Sequence, residues 1–449
     1  MRAAEPAGPI GDGELPPLFA PLAGASRIAI AVSGGCDSLA LLDCIDRWRR
    51  QQPNPSTVLV LTVDHGLRRS SAEDAKRVVA IAKARGLKAE VLRWTGDKPK
   101  GDIEAAARAA RYRLLLGAAR AAKASHLLLA HQRDDQAETL LLRLARGSGV
   151  FGLAAMRKEI AAGEVTIFRP FLDIARARLQ ETIAVAGLEP VEDAMNSDPR
   201  YARARLRRIM PLLSADGIDA AGLAATAGRL ASAAEAIDEA ATRVIERVVA
   251  PDELAAAAID AGVFMAVPAE IRLRALVRIL IAVGGEDYPP RFERLQALDA
   301  EMARHGASSR LKRTLGGAVI EGRRGRFVVY REIGRAGLPE MKVKSGFLGI
   351  WDHRFLVEIG KGAPSGLALA ALGEAGRRQI GARAGAVAAG VLAALPALWL
   401  KGSVFAVPPL GYPAKPKPAV STTARSLLAD RLIVPPRFPD FLGSGLGPG

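Results

Sequence analysis

The stretch AVSGGCDSLALL, residues 31–42, decides how this chain is read. Before it lies RIAIAVS (Arg27–Ser33), a short β-rich apolar run; after it, Ser38–Arg50 carries apolar residues at three-to-four spacing. A strand that passes through two glycines into a helix aims unpaired backbone N–H groups and the positive helix end at one spot. That is a site for phosphate. Gly34 and Gly35 let the backbone approach closely, where a side chain would block it. Ser33 and Ser38 add hydroxyl donors, Cys36 fills the position between, and Asp37 is suited to hold a magnesium ion that bridges phosphate oxygens. A tight turn capped by Asp37 or Ser38 would account for a lone SGG, though not for the whole string. The chain has no GxxxxGK followed by Ser or Thr, which excludes the loop of γ-phosphate-hydrolysing NTPases.

Outward from the loop, Arg27–Pro170 alternates short apolar runs with longer amphipathic stretches, the pattern of a parallel sheet covered by helices. Strands are predicted at Arg27–Ser33, Thr57–Asp64, Lys88–Trp94, His126–His131 and Val165–Pro170. Helices are predicted over Ser38–Arg50, Ser71–Arg85, Ile103–Ala124 and Asp135–Arg146. The fold class is therefore α/β, with an N-terminal doubly wound parallel sheet of five strands, then a helical domain and a basic mixed α/β C-terminal region. Boundaries are expected at 1–26 (an N-terminal extension), 27–214 (the catalytic domain), 215–305 (a helical linker domain) and 306–449 (the basic region). In the last, Leu315–Glu321 and Arg326–Arg331 read as a hairpin turning at GRRG, and Ala384–Leu400 as a buried helix. The Pro-rich tail beyond Gly402 reads as irregular.

At 449 residues the chain is too long for one ordinary core. Its 63 Lys+Arg against 47 Asp+Glu give a net charge of +16. Met1–Ala300 carries 41 basic and 38 acidic residues and Glu301–Gly449 carries 22 and 9, so the basicity belongs to the last third. Such an excess points to a polyanionic partner, nucleic acid being the commonest, with a solvated basic surface as the alternative. Two cysteines, Cys36 and Cys44, exclude a disulfide framework, a zinc ribbon and a cysteine-ligated iron–sulfur cluster. The first residues lack a continuous apolar core, and no run reaches the roughly 20 residues of a spanning helix. A cytoplasmic protein without a membrane partner is expected.

SGGCDS is similar to the pyrophosphate loop of the ATP pyrophosphatases, enzymes that adenylate a substrate oxygen, release pyrophosphate and let a nucleophile displace AMP. Three further segments narrow the resemblance: VDHGLRRSS (Val63–Ser71), LAHQRDDQAETLLLRLARGSGVFGL (Leu129–Leu153) and VEDAMNSDPRYARARLRRIMPLL (Val191–Leu213). In order and separation, Arg27–Leu213 resembles the tRNA(Ile)-lysidine synthetases. The resemblance implies an adenine-nucleotide α-hydrolase-like domain and ATP with Mg²⁺ as cofactors. It further implies a CAU-anticodon isoleucine tRNA and free lysine as partners, lysidine being formed at the wobble cytidine. Two cysteines near the N-terminus speak against a PP-loop thiolase; a small-molecule ligase and a tRNA-binding homologue without catalysis are the other readings.

Reading the residues alone, His131 sits at the carboxyl end of a parallel strand, where open α/β sheets bind ligands. Asp134, Asp135 and Glu138 follow, a cluster suited to ammonium groups or a metal; a capping box Asp135-x-x-Glu138 would explain two of them. The resemblance assigns this segment to the lysine site, Asp64 and His65 to the ATP site, and Arg111 to the pyrophosphate or the adenylated intermediate. Arg203, Arg205 and Arg207 are expected on RNA phosphates, as are Arg323, Arg324 and Arg326. Ala204 stands where the family commonly has asparagine.

Overall fold

The computed structural model describes residues 8–66, 70–95, 103–191, 202–286, 289–381, 387–413 and 420–433. Parts of the segments read above, 1–7, 67–69, 192–201, 384–386, 414–419 and 434–449, lie outside the described residues. The chain forms two compact units, Met1–Ala234 and Glu235–Phe438.

The first unit is built on β1 (Arg27–Ala31), β2 (Thr57–Asp64), β3 (Lys88–Arg93), β4 (His126–Leu128), β5 (Glu159–Ala162) and β6 (Val165–Phe168), in the order β3-β2-β1-β4-β6-β5. The five expected strands are parallel. β5 adds an antiparallel edge through a turn at Gly163, where φ is +73°. Strands β1 and β4 stop short of their predicted ends because the following residues leave the sheet to build loops. Val32 still donates to the Leu61 carbonyl and Leu129 to that of Phe168, each at 2.9 Å.

Helices of this unit are α1 (Leu15–Leu18), α2 (Cys36–Arg50), α3 (Ser71–Ala84), α4 (Ile103–Ala121), α5 (Arg133–Leu144), α6 (Val150–Leu153), α7 (Arg176–Val185) and α8 (Ala202–Ala215); α9 (Ala220–Val248) runs across the division between the units. The twofold alternation of β1 sends Ile28 and Ile30 into a cluster with Leu42 and Ile45 of α2 and Leu179 of α7. Ala29 and Ala31 face the other way, with Tyr112 and Leu115 of α4. Both faces of the sheet are therefore covered.

The N-terminal stretch belongs to the same core from Gly8 onward. Ile10, Leu15, Phe19 and Leu22 are at most 2% exposed, a burial of roughly 1.5–3 kcal/mol each. Arg178 of α7 donates to the carbonyls of Gly8 and Pro9 and to both carboxylate oxygens of Glu14.

In the second unit, β7 (Val249–Pro251), β8 (Ala257–Asp260), α10 (Ala261–Met265), α11 (Ala269–Gly284) and α12 (Phe292–His305) precede β9 (Lys312–Leu315), β10 (Ala318–Arg323) and β11 (Arg326–Arg331). These strands form one sheet, β7-β8-β11-β10-β9. One buried cluster runs from Ala241 to Leu432. Residues on both sides of position 305, within 241–302 and 311–432, thus share a core. The first strand of the expected hairpin is also corrected: Gly316 and Gly317, at φ +57° and +68°, turn the chain between β9 and β10, so Leu315 and Ala318 lie on different strands. The GRRG turn is present, with Arg324 and Gly325 at φ +45° and +79°.

Beyond this sheet come β12 (Met341–Val343), β13 (Leu348–Trp351), β14 (Phe355–Ile359), β15 (Leu367–Ala371), α13 (Gly373–Ile380) and α14 (Ala389–Ala393), then β16 (Pro396–Leu400), β17 (Ser403–Ala406), β18 (Thr422–Ser426) and α15 (Leu428–Ile433). Ala384–Leu400 is not one buried helix: helix ends at Ala393, and Pro396–Leu400 pairs between β15 and β17. The proline, which lacks an N–H, opens the strand. The tail is likewise more regular than expected, because β18 pairs with β14 and α15 closes the core. Among the described residues no helix is long and apolar enough to cross a membrane.

Candidate active site

The loop between β1 and α2 is shaped by its own polar groups. Gly34 has φ +89°, and a Cβ there would meet Val191 Cγ2 at 3.1 Å and Val78 Cγ2 at 3.4 Å. Its carbonyl accepts from Val191 N at 2.9 Å. Ser38 Oγ donates to the Gly35 carbonyl at 2.9 Å, accepts from Ser33 N at 3.1 Å and lies 3.3 Å from Ser33 Oγ. Gly35 is the N-cap, and among the described residues no side chain caps the helix. The capped-turn reading is thereby removed. The first-turn N–H groups of α2 stay open to an anion, and the helix dipole favours one.

Asp37 stands in that first turn with Oδ1 buried and, among the described residues, without a hydrogen-bond partner. Burial, reinforced by Asp135 and Asp134 against Arg176 and Arg207, pushes its carboxyl up to about 6. An orphaned carboxylate oxygen beside further carboxylates fits a cation. Among the described residues no three His, Cys, Asp or Glu side chains cluster to cage a metal. Burial pushes the Cys36 thiol up to about 11, which disfavours the thiolate there.

Beside the loop lies a cavity of about 410 Å³, nucleotide-sized, lined by Ser33, Gly35, His65, Arg108, Arg111, Arg203 and Arg207 among others. Asp64 accepts from Gly66 N at 3.0 Å and from Ser71 Oγ, which holds its carboxyl below the ordinary range and closes the turn into α3. His65 rather than Asp64 faces the cavity. Ala204 is buried in the cavity wall.

The acids at the start of α5 are fixed differently from expectation. The capping box is Gln132-x-x-Asp135: Gln132 Oε1 accepts from Asp134 N at 2.6 Å, and Asp135 Oδ2 accepts from Gln132 N at 3.1 Å. Glu138 is left out of the cap. It is 2% exposed and takes Arg207 in a fork, Nε to Oε1 at 2.6 Å and a terminal nitrogen to Oε2 at 3.2 Å. Burial nevertheless keeps the Glu138 carboxyl above its ordinary range. Asp135 Oδ1 lies 3.9 Å from Arg203 and 3.8 Å from Arg207. Arg203 and Arg207 therefore turn inward, one helical turn apart, while Arg205 is exposed.

Three features gave no sequence signal strong enough to be singled out. Arg169, just past β6, is fully buried and donates to His131 Nδ1 at 3.3 Å and to the Arg157 carbonyl at 2.6 Å. Tyr112 lies under Arg108, 5.4 Å from guanidinium to ring centre. Gln136 ties α5 to the chain just after the RGSGVFGL segment by two bonds to the Met156 backbone, each 2.8 Å. A charged residue ending an apolar strand, as in VTIFRP, was the available signal for Arg169. Arg323, Arg324 and Arg326 lie in the second unit, exposed at the tip of the β10–β11 hairpin.

An open phosphate loop at the end of a central parallel strand, facing a nucleotide-sized cavity, defines a PP-loop ATP-binding domain, and the family model described as a PP-loop domain matches residues 13–213. The chain is 44% identical to the tRNA(Ile)-lysidine synthase of Rhodopseudomonas palustris, over 68% of this chain and 90% of that protein. It is 43% identical to the enzyme so named from Bradyrhizobium diazoefficiens (70% and 91%) and 38% identical to that of Ruegeria pomeroyi (86% and 89%). The chain belongs to the tRNA(Ile)-lysidine synthase family.

Proposed function

We propose that this protein is an ATP-dependent ligase that converts the wobble cytidine of a CAU-anticodon isoleucine tRNA to lysidine, releasing AMP and pyrophosphate. The observation that carries the reading is the apposition of two sites in one unit. An uncapped phosphate loop opens on the cavity, and across Arg203 and Arg207 lie the buried acids Asp135 and Glu138. In the first half-reaction the cytidine C2 oxygen attacks the α-phosphate and pyrophosphate leaves. The first-turn N–H groups of α2, Ser33, Ser38 and Arg111 stabilise the charge that develops there. Asp37 is the residue to hold Mg²⁺, which when bound neutralises phosphate charge.

In the second half-reaction the lysine ε-nitrogen bonds to C2 while the C2–O bond breaks, and AMP departs with the electron pair. Asp134, Asp135 and Glu138 hold the lysine ammonium groups, and a nearby group takes the proton that the ε-ammonium must lose. Arg205 and the exposed Arg323, Arg324 and Arg326 serve as phosphate contacts for tRNA. The test is incubation with ATP, labelled lysine and bulk tRNA: label entering one isoleucine isoacceptor is expected. Pyrophosphate release without RNA would instead favour a small-molecule ligase.

A further inference from the structure

We infer that Arg169 is a positioning residue that fixes His131 as a neutral hydrogen-bond donor, with its ring proton on Nε2, and so removes it from the role of general base. Arg169 is 0% exposed, and its guanidinium is anchored on one side by the Arg157 carbonyl. Its Nε–H points at His131 Nδ1 from 3.3 Å. Arginine does not deprotonate in proteins and has no acceptor atom, so the ring nitrogen facing it must offer a lone pair. A proton on Nδ1 would set two donors against each other. Turning the ring over would leave a buried N–H with a carbon in front of it.

The surroundings act in the same direction. Arg108 and Arg111 approach from α4, Arg203 from α8 and Arg169 from the end of β6. Of the carboxylates that follow on α5, Asp135 is turned to Gln132 N and the two inward arginines and Glu138 to Arg207. Burial together with these four cations holds the imidazole well below its ordinary range. Neutral histidine with a fixed Nε2–H donates to an acceptor oxygen, a phosphate or carbonyl oxygen of the reacting groups, on the side of the ring away from Arg169. This last assignment rests on the function proposed above. It leaves the ε-ammonium proton to a carboxylate.

The test uses the whole protein labelled with ¹⁵N-histidine, without tRNA or lysine. The His131 signals are identified by their loss in His131→Gln, and ring nitrogens are followed from about pH 5.5 to 8.5. The expected result is an unprotonated Nδ1 and a protonated Nε2 throughout. A proton on Nδ1, or titration near the ordinary value of about 6.5, overturns the inference. In folded Arg169→Met, His131 should begin to titrate in that range and kcat should fall about 10- to 100-fold, with KM for ATP and lysine within about twofold. An unchanged tautomer with unchanged kcat refutes the role of Arg169. If that variant does not fold, the wild-type spectrum decides alone. Failure to form lysidine with the Nε2–H tautomer intact would count against the proposed reaction and leave this inference standing.

Discussion

Replacing Glu138 by glutamine separates a lysine site from a merely structural acid. Glu138 is 2% exposed and accepts both arms of the Arg207 fork, so glutamine keeps the volume and one acceptor oxygen while removing the charge. A hydrogen bond to a charged group is worth about 1.5–3 kcal/mol net and a neutral one about 0.5–1.5. If Glu138 receives a lysine ammonium, the difference of about 1–2 kcal/mol weakens lysine about 5- to 30-fold, at 1.4 kcal/mol per factor of ten. Glu138 is not among the residues lining the cavity beside the loop, so KM for ATP should move less than about twofold. The Arg207 fork weakens with the same substitution, so a fall in Tm should accompany the loss and is read separately from lysine binding. The assay is steady-state lysidine formation with lysine and ATP varied separately, beside a thermal melt. An unchanged KM for lysine in a folded variant would refute the assignment, and an equal loss for both substrates would mark a packing role.

Three further outcomes follow from the same geometry. Asp37→Ala should abolish ATP–pyrophosphate exchange while leaving tRNA affinity largely intact; retained exchange removes Asp37 from the phosphate site. Gly34→Ala should cost about 1–3 kcal/mol through its positive φ, with the new Cβ pressing on Val191, and should weaken ATP binding; calorimetry and a melt read both. Glu14 has a carboxyl held below its ordinary range by Arg178. The wild type should therefore be more stable than Glu14→Gln above about pH 4.5, an advantage that disappears as acid protonates Glu14 through its lowered value; a gap unchanged at pH 3 would contradict this.

The division into units also changes what a truncation can show. A chain cut at residue 300 keeps Ala241–Met302 only in part and strips the partners Leu311, Ile320 and Phe327 from their cluster, so it should expose apolar surface and aggregate. A chain ending at Ala234 should fold and bind ATP, yet lose most tRNA affinity and its salt dependence. Light scattering and salt-titrated tRNA binding distinguish the two fragments.

The five parallel strands and their helices were legible because each obeys a local rule: β1 alternates, α2 repeats at three-to-four spacing, and SGG breaks the chain between them. The second unit was less legible because its strands are short and join residues far apart, as Phe355–Ile359 joins Thr422–Ser426. No local period reports such a pairing. An Ala/Gly-rich apolar run such as Ala384–Leu400 fits a buried helix or a buried strand equally well until its neighbours are known.

The site divides along the same line. Sequence by itself determined the phosphate loop, because a strand, two glycines and a helix are contiguous and their backbone geometry is local. It also determined which acids and arginines were available. Only the tertiary structure decided that Arg203 and Arg207 turn onto Asp135 and Glu138, that Gln132 caps α5, and that Arg169 meets His131 across 38 residues of chain. Electrostatics and burial act through space, so the partner of a charged side chain is set by where the elements pack and not by its neighbours along the chain.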